Sequence, residues 1–358
     1  MSVLCGKMSV IAISNINTAK NTQEILMKKF RFIFKALTEM DYKSLFKVTG
    51  KVAKKAHKSY IATFVDVVKC GFKYQAGYYD YQEFEFYLLN DEQRETMLTR
   101  GKNNSIISRY NNKEYFHYFS NKIEFNNTFK DYMKRDFIDI EHATLDEFKK
   151  FMEGKEYFMA KEVDNMGGVG ITKIKVADHD PEELLKELRE NKQYLCEEMI
   201  IQNSEINKIY PGSINTVRLF TFFDGEEAHV LQSIFRLGNG GGFVDNFSSG
   251  GMYTFLDDNG VVMVPAIDKD DNYMSVHPQT GAQIVGFKLP LYDKACEMVK
   301  EAAKVIPEVK YVGWDVAIME NDVCLVEGNE FPGVFQPKPS FLEKPEGILP
   351  KYAKYIKF

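Results

Sequence analysis

Across residues 22–93 apolar side chains recur at roughly helical spacing, as in Ile25, Phe30, Phe34, Leu37, Leu45 and Val48, without glycine-rich punctuation. That period marks amphipathic helices and predicts a mainly α-helical N-terminal region. Beyond residue 155 the texture changes to short apolar runs bounded by turn signals: EYFMAKEV, ITKIKV, YLCEEMI, NTVRLFTFF, HVLQSIFRL, YVGWDVAIM and DVCLVEGN. These read as strands. Helices interrupt them. One is expected from the N-cap Asp180 through Pro181 at the first helical position to about Asn191; another spans roughly residues 291–305 and stops before Pro307. Strands and helices mixed with many hairpins predict an α+β core rather than a doubly wound sheet. The division expected along the chain is a helical region at 1–100, a first α+β part at 101–200 and a C-terminal lobe at 201–358.

Composition narrows the class. With 358 residues, 44% of them hydrophobic, the chain can bury one large core or two moderate ones. Charged residues make up 27% and the net charge is −5, so nothing in the overall balance points to nucleic acid. Locally the picture differs, because residues 28–58 hold ten lysines and arginines against only Glu39 and Asp41. With Phe30, Phe32, Phe34 and Phe46 interleaved, this island suits peripheral contact with an anionic membrane or a protein partner. The plainer alternative is a helical lobe with a solvated lysine face. Cys5, Cys70, Cys196, Cys296 and Cys324 are odd in number and form no CxxC pair, which fits a reducing compartment. The apolar run at residues 10–13 is too short for a signal peptide, and no run approaches the roughly 20 apolar residues of a membrane span. A cytoplasmic protein is expected.

The segment GWDVAIMENDVCLVEGNEFPG reads as two apolar strands joined by a tight turn around Glu320, Asn321 and Asp322. A hairpin centred there sets Asp315 opposite Glu327 within one residue of register. Alternation then puts Asn329 on the same face as Glu327. Two carboxylates about 5 Å apart repel by roughly 3 kcal/mol at an effective dielectric of about 20, and a cation removes that cost. Magnesium, with manganese as a substitute, takes such hard oxygen donors together with nucleotide phosphates. An ordinary half-exposed hairpin with surface carboxylates fits the same residues equally well.

The run FMAKEVDNMGGVGITKIKV places Lys161 late in one strand, then Gly167, Gly168 and Gly170, then a second strand. Glycine lets backbone N–H groups approach phosphate oxygens, and the flanking lysine adds positive charge. It is neither a Walker A loop nor a dinucleotide-binding fingerprint, since no GK[ST] follows and the next element is a strand. A simple glycine-rich hairpin is the competing reading.

Taken together and in order, these residues resemble the ATP-grasp enzymes, in particular the sugar-transfer-associated ATP-grasp branch, over about residues 110–340. The shared order is a lysine before a helix, a lysine strand with a glycine loop, an acidic hinge strand, an arginine strand and a D…ExN hairpin. The resemblance implies an ATP-grasp fold, two α+β lobes clasping ATP. It implies that Lys122 and Lys161 touch the phosphates, and that YLCEEMIIQNSE is the hinge, with Glu198, Met199 and Ile201 near adenine and Glu205 on the ribose. The adjacent Glu197 and Glu198 leave the register of the hinge open by one residue. Asp315, Glu327 and Asn329 match the magnesium ligands. Arg218, Arg236 and the DNFSSGG loop with Asn246, Gly250 and Gly251 resemble the substrate side of the carboxylate–amine ligases, where a guanidinium fork suits an acyl phosphate. His277 in SVHPQTG is a further candidate substrate contact, or a structural loop histidine.

The activity so implied is a magnesium- and ATP-dependent ligase working through an acyl phosphate, with a role near cell-surface polysaccharide synthesis. The same clamp serves a kinase that phosphorylates the hydroxyl of a sugar or small molecule. A nucleotide-binding scaffold in a glycan-synthesis complex is the third reading. The substrate expected is a small molecule carrying a carboxylate or hydroxyl, sugar-linked in some of these readings. The first hundred residues do not resemble the small α/β domain that precedes many ATP-grasp cores, so fold analogy gives no substrate.

Overall fold

The computed structural model describes residues 41–163, 170–240, 247 and 250–358. The chain divides into two compact units, residues 1–69 and 70–358.

In the first unit Asp41 caps the helix Tyr42–Lys55, its carboxylate accepting from the Ser44 N–H at 3.1 Å. The helical period buries Leu45, Val48 and Val52 on one stripe. A second helix, Tyr60–Tyr74, runs on into the next unit. Among the described residues no helix is long and apolar enough to cross a membrane.

The second unit opens with short helices at Tyr78–Glu83, Asp91–Glu95 and Arg100–Tyr110, the last two capped by Asn90 and Thr99. Tyr81, Phe84, Phe86 and Tyr87 are buried here. This region is stitched to the C-terminal tail. Gln336 accepts from the Leu98 N–H at 3.3 Å and donates to its carbonyl at 3.0 Å. Asn103 donates to the Pro332 carbonyl at 2.9 Å, and the Gly347 N–H donates to the Thr96 hydroxyl at 2.7 Å.

Two antiparallel sheets follow. The smaller has the order β1-β4-β2-β3, with β1 Phe137–Asp139, β2 Tyr157–Lys161, β3 Ile171–Lys175 and β4 Leu195–Glu198. The helices Leu145–Met152 and Pro181–Glu190 cover one face, packing Phe148, Phe151, Leu184 and Leu188 on Phe158, Ala160, Ile174 and Cys196. The larger sheet has the order β11-β10-β5-β6-β7-β8-β9, with β5 Thr216–Phe223, β6 Ala228–Leu237, β7 Met252–Phe255, β8 Ala266–Ile267, β9 Tyr273–Met274, β10 Tyr311–Ile318 and β11 Val323–Asn329. Its covered face packs Val217, Leu219, Phe235, Trp314, Val316 and Leu325 with Ala295 and Val299 of the helix Tyr292–Ala302. The α+β class read from the sequence is the class observed, and the seven apolar runs expected as strands are β2 to β6, β10 and β11. β1, β7, β8 and β9 escape a pattern search because they are two to four residues long, and β7 is buried on both sides and so does not alternate.

Candidate functional site

The site is built on the face of the large sheet opposite Trp314 and Val316, the face that also buries Tyr311 and Phe220. Val316, Leu325, Trp314 and Gly328 point to the core side, so a straight ladder would pair Asp315 with Val326 and turn Glu327 inward. Instead the register slips between Asp315 and Val316: Val316 pairs with Leu325, but Asp315 pairs with Glu327. Val326 is the extra residue of a β-bulge, and it re-phases the strand so that Glu327 and Asn329 share one face with Asp315. Gly328 is required by the same geometry, because a Cβ there would lie 2.9 Å from Phe125 and 3.0 Å from both Phe119 and Trp314.

Register then brings two arginines to the acid. Asp315 lies opposite Arg218 on β5, and Arg236 lies on the strand beyond. Arg218 grips Asp315 bidentately, Nε to Oδ1 and Nη2 to Oδ2 at 2.6 Å each, and Arg236 Nη1 donates to the same Oδ2. Glu327 Oε1 stands 3.5 Å from Arg218 Nη2. Asp315 is buried, which alone would raise its pKa, but Arg218 and Arg236 outweigh that and hold the carboxyl far below its usual range. Glu327, open to solvent along one side, goes the other way. Partial desolvation against the sheet raises it first, and the charge and hydrogen bond of Asp315 add to this, so the carboxyl is held above its usual range. Asn329 donates its amide to the Gly313 carbonyl at 3.3 Å.

The small sheet contributes a second polar cluster on its uncovered face. Lys161 ends β2, and its ammonium pairs with Glu197 on β4. Glu197 is buried and also accepts from Arg135 Nη2 at 2.9 Å and from Asn126 Nδ2 at 2.6 Å. Burial would raise its pKa, but Arg135 and Lys161, with the hydrogen bonds of Lys161 and Asn126, bring it down to about 2. Arg135 in turn donates to the Leu325 carbonyl at 2.6 Å, two residues before Glu327. One chain of polar contacts thus runs from the lysine strand to the carboxylate hairpin. Lys122, the first residue of the helix Lys122–Thr128 and capped by Asn121, donates to the Val163 carbonyl at 3.0 Å, where the glycine loop begins.

The other candidates fall in several places. Gly170, at φ +73°, closes the β2–β3 turn against Glu162, a left-handed position that suits glycine. Gly167, Gly168 and Asn246 lie outside the described residues. Glu198 turns away from Glu197 and accepts from the Asp136 N–H at 3.1 Å. Met199 is half-buried and Ile201 is exposed. Glu205 is exposed on the helix Ser204–Ile209 and pairs with Lys208 at 2.6 Å. This hinge is pinned to the hairpin turn: the Ser204 N–H donates to Glu320 at 2.9 Å and the Asn203 N–H to the Ile318 carbonyl at 2.9 Å. His277 is fully buried, stacks on Tyr210, and uses both ring nitrogens inside the protein, Nε2 donating to the Gly238 carbonyl at 2.8 Å and Nδ1 accepting from the Gln279 N–H at 3.3 Å. Arg135, Asn126, Val326 and Gly328 carry no motif of their own and emerge only from the fold.

A match to the family model for sugar-transfer-associated ATP-grasp proteins extends over residues 101–338. The chain belongs to this family. The sugar-transfer-associated ATP-grasp protein therefore has the ATP-grasp fold, preceded by a helical region. No curated protein matches it. Among solved structures it is similar to the ATP-grasp ligase PsnB complexed with a minimal precursor, at 11% identity and a TM-score of 0.36, over 63% of this chain and 56% of that one. It is also similar to an L-amino acid ligase from Bacillus licheniformis, at 11% identity and 0.36, over 60% of this chain and 41% of that one. A D-alanine–D-alanine ligase from Helicobacter pylori matches at 16% identity and 0.40, over 72% and 69%. The chain thus spans only about half the length of the first two.

Proposed function

We propose that this ATP-grasp protein is a magnesium- and ATP-dependent ligase that activates a substrate carboxylate as an acyl phosphate, in cell-surface polysaccharide or related biosynthesis. The observation that carries the reading is the Asp315–Glu327 pair facing Arg218 and Arg236 on one sheet face, in a chain whose family is ATP-grasp. The donor set fits a hard divalent cation. Asp315 and Glu327 sit side by side, desolvation and then the charge of Asp315 disfavour the ionised form of Glu327, and Asn329 adds a carboxamide on the same face. Asp315, Glu327 and Asn329 would hold magnesium, which when bound supplies charge neutralisation for the nucleotide phosphates.

The remaining roles belong to the protein's own groups. Lys122 and Lys161 bind phosphate oxygens; Glu198, Met199 and Ile201 line the adenine, and Glu205 meets the ribose. Asp315 keeps the two guanidinium forks aimed at the sheet face, so that donors are in place before charge develops. A carboxylate oxygen attacks the γ-phosphorus and ADP leaves. An amine or other nucleophile then attacks the acyl carbon, and inorganic phosphate leaves.

Glu327→Gln keeps the shape and removes the charge, and is expected to lower ADP release by about a hundredfold or more. Mass spectrometry of the product should find an amide or ester together with free phosphate. Unchanged turnover in Glu327→Gln sinks the metal assignment, and a phosphorylated hydroxyl product replaces the ligase by a phosphotransferase.

A further inference from the structure

Charge is divided unevenly along the chain. Residues 1–74 carry 14 lysines and arginines against 4 acids, net +10, while the other 284 residues carry 32 against 47, net −15, which together give the −5 of the whole. Such asymmetry marks a segment that meets a polyanion or an anionic surface.

Each of the two helices in this segment has a buried stripe and a distinct opposite side, basic in one and apolar in the other. In Tyr42–Lys55 the buried stripe is Leu45, Val48 and Val52, and at 100° per residue the opposite side carries Lys43, Lys47, Lys51 and Lys54. In Tyr60–Tyr74 the buried stripe is Thr63, Val67, Cys70 and Tyr74. Directly opposite it, at i, i+4, i+7 and i+11, stand Ile61, Val65, Val68 and Phe72, exposed by 74%, 60%, 37% and 61%. A helix that already has a core face gains nothing in water from a second apolar face. Phe46, half exposed and stacked on Phe64 at 5.9 Å, adds to the apolar area.

We propose that the helices Tyr42–Lys55 and Tyr60–Tyr74 dock the protein on an anionic bilayer surface, Ile61, Val65, Val68 and Phe72 entering the headgroup–acyl boundary while the lysines meet lipid phosphates. Charge complementarity selects this occupant. A second copy would bring the same +10 segment to the face and repel it, and a nucleic acid would satisfy the lysines but leave the aliphatic stripe wet. Attachment is to one surface, since neither helix is long and apolar enough to span. The inference is independent of the ligase reading.

The test uses the full chain with vesicles of phosphatidylcholine alone and of phosphatidylcholine mixed with phosphatidylglycerol. Co-sedimentation with the mixed vesicles should be at least about tenfold stronger. Val65→Ser combined with Phe72→Ser should weaken it about tenfold, and Lys43→Glu with Lys47→Glu and Lys51→Glu should do the same, both with parental circular dichroism melting. Equal binding to the two vesicles, absence of binding, or full retention by the Val65→Ser, Phe72→Ser protein overturns the proposal. So does a parent dimer that this variant converts to a monomer, which would give the face to a second copy.

Discussion

At the scale of single residues, the informative group is Glu197 rather than the acids of the hairpin, because its partners are all protein. Burial and three donors fix it as a carboxylate with a pKa near 2 in place of the ordinary 4.5. Its stabilising effect is fully present above the unfolded value of 4.5 and is lost as pH falls through about 2. Glu197→Gln leaves Arg135 and Lys161 without a counter-charge and is expected to cost about 3–5 kcal/mol at pH 7. Urea unfolding over a series of pH values should show the two proteins converging as pH drops below 4.5, because only the parent acquires a proton there. A gap that stays constant down to pH 3 would show that the pairing contributes nothing through charge. Sequence alone cannot tell Glu197 from Glu198. The distinction depends on which face of β4 meets Arg135, a residue 62 positions away that no local pattern connects to it.

At the scale of elements, the hairpin is legible in the sequence because a tight turn and the period of two fix which side chains can meet, and that places Asp315 near Glu327. What the pattern leaves open is the phase beyond the bulge. Val326 looks like one more apolar strand residue, yet it is the insertion that turns Glu327 and Asn329 to the face of Asp315. Gly328 locks this arrangement by letting Phe119, Phe125 and Trp314 close over the strand. Its substitution by alanine forces those rings apart and is expected to cost about 1–3 kcal/mol. Because Phe125 belongs to the helix that begins at Lys122, the same change should weaken ATP binding as well as stability. Thermal melting and nucleotide titration of Gly328→Ala test both. A stable variant with parental affinity would mean the hairpin and helix adjust independently.

At the scale of the whole molecule, the family match begins at residue 101, but the physical boundary need not follow it. Residues 85–103 are hydrogen-bonded to the tail between residues 332 and 349: Leu98 with Gln336, Asn103 with Pro332, Thr96 with Gly347, and Glu85 with the Ser340 N–H at 3.0 Å. Tyr81, Phe84, Phe86 and Tyr87 are buried in the same region. Burying such a ring is worth roughly 1.5–3 kcal/mol, so four of them together rival the roughly 5–15 kcal/mol that separates a folded domain from its unfolded chain. Removal of residues 1–100 should therefore give a protein without a cooperative unfolding transition, although it deletes nothing from the matched family segment. Removal of residues 1–58, which stops before the helix Tyr60–Tyr74, should keep a cooperative transition and ATP turnover within about twofold of the parent, because no residue proposed to bind ATP, metal or substrate is lost and most stability resides in the buried core that remains. Calorimetry and ADP release on the two truncations decide the matter. A well-folded, active protein starting at residue 101 would show that the stitching to the tail is dispensable and that residues 70–100 belong with the preceding helices.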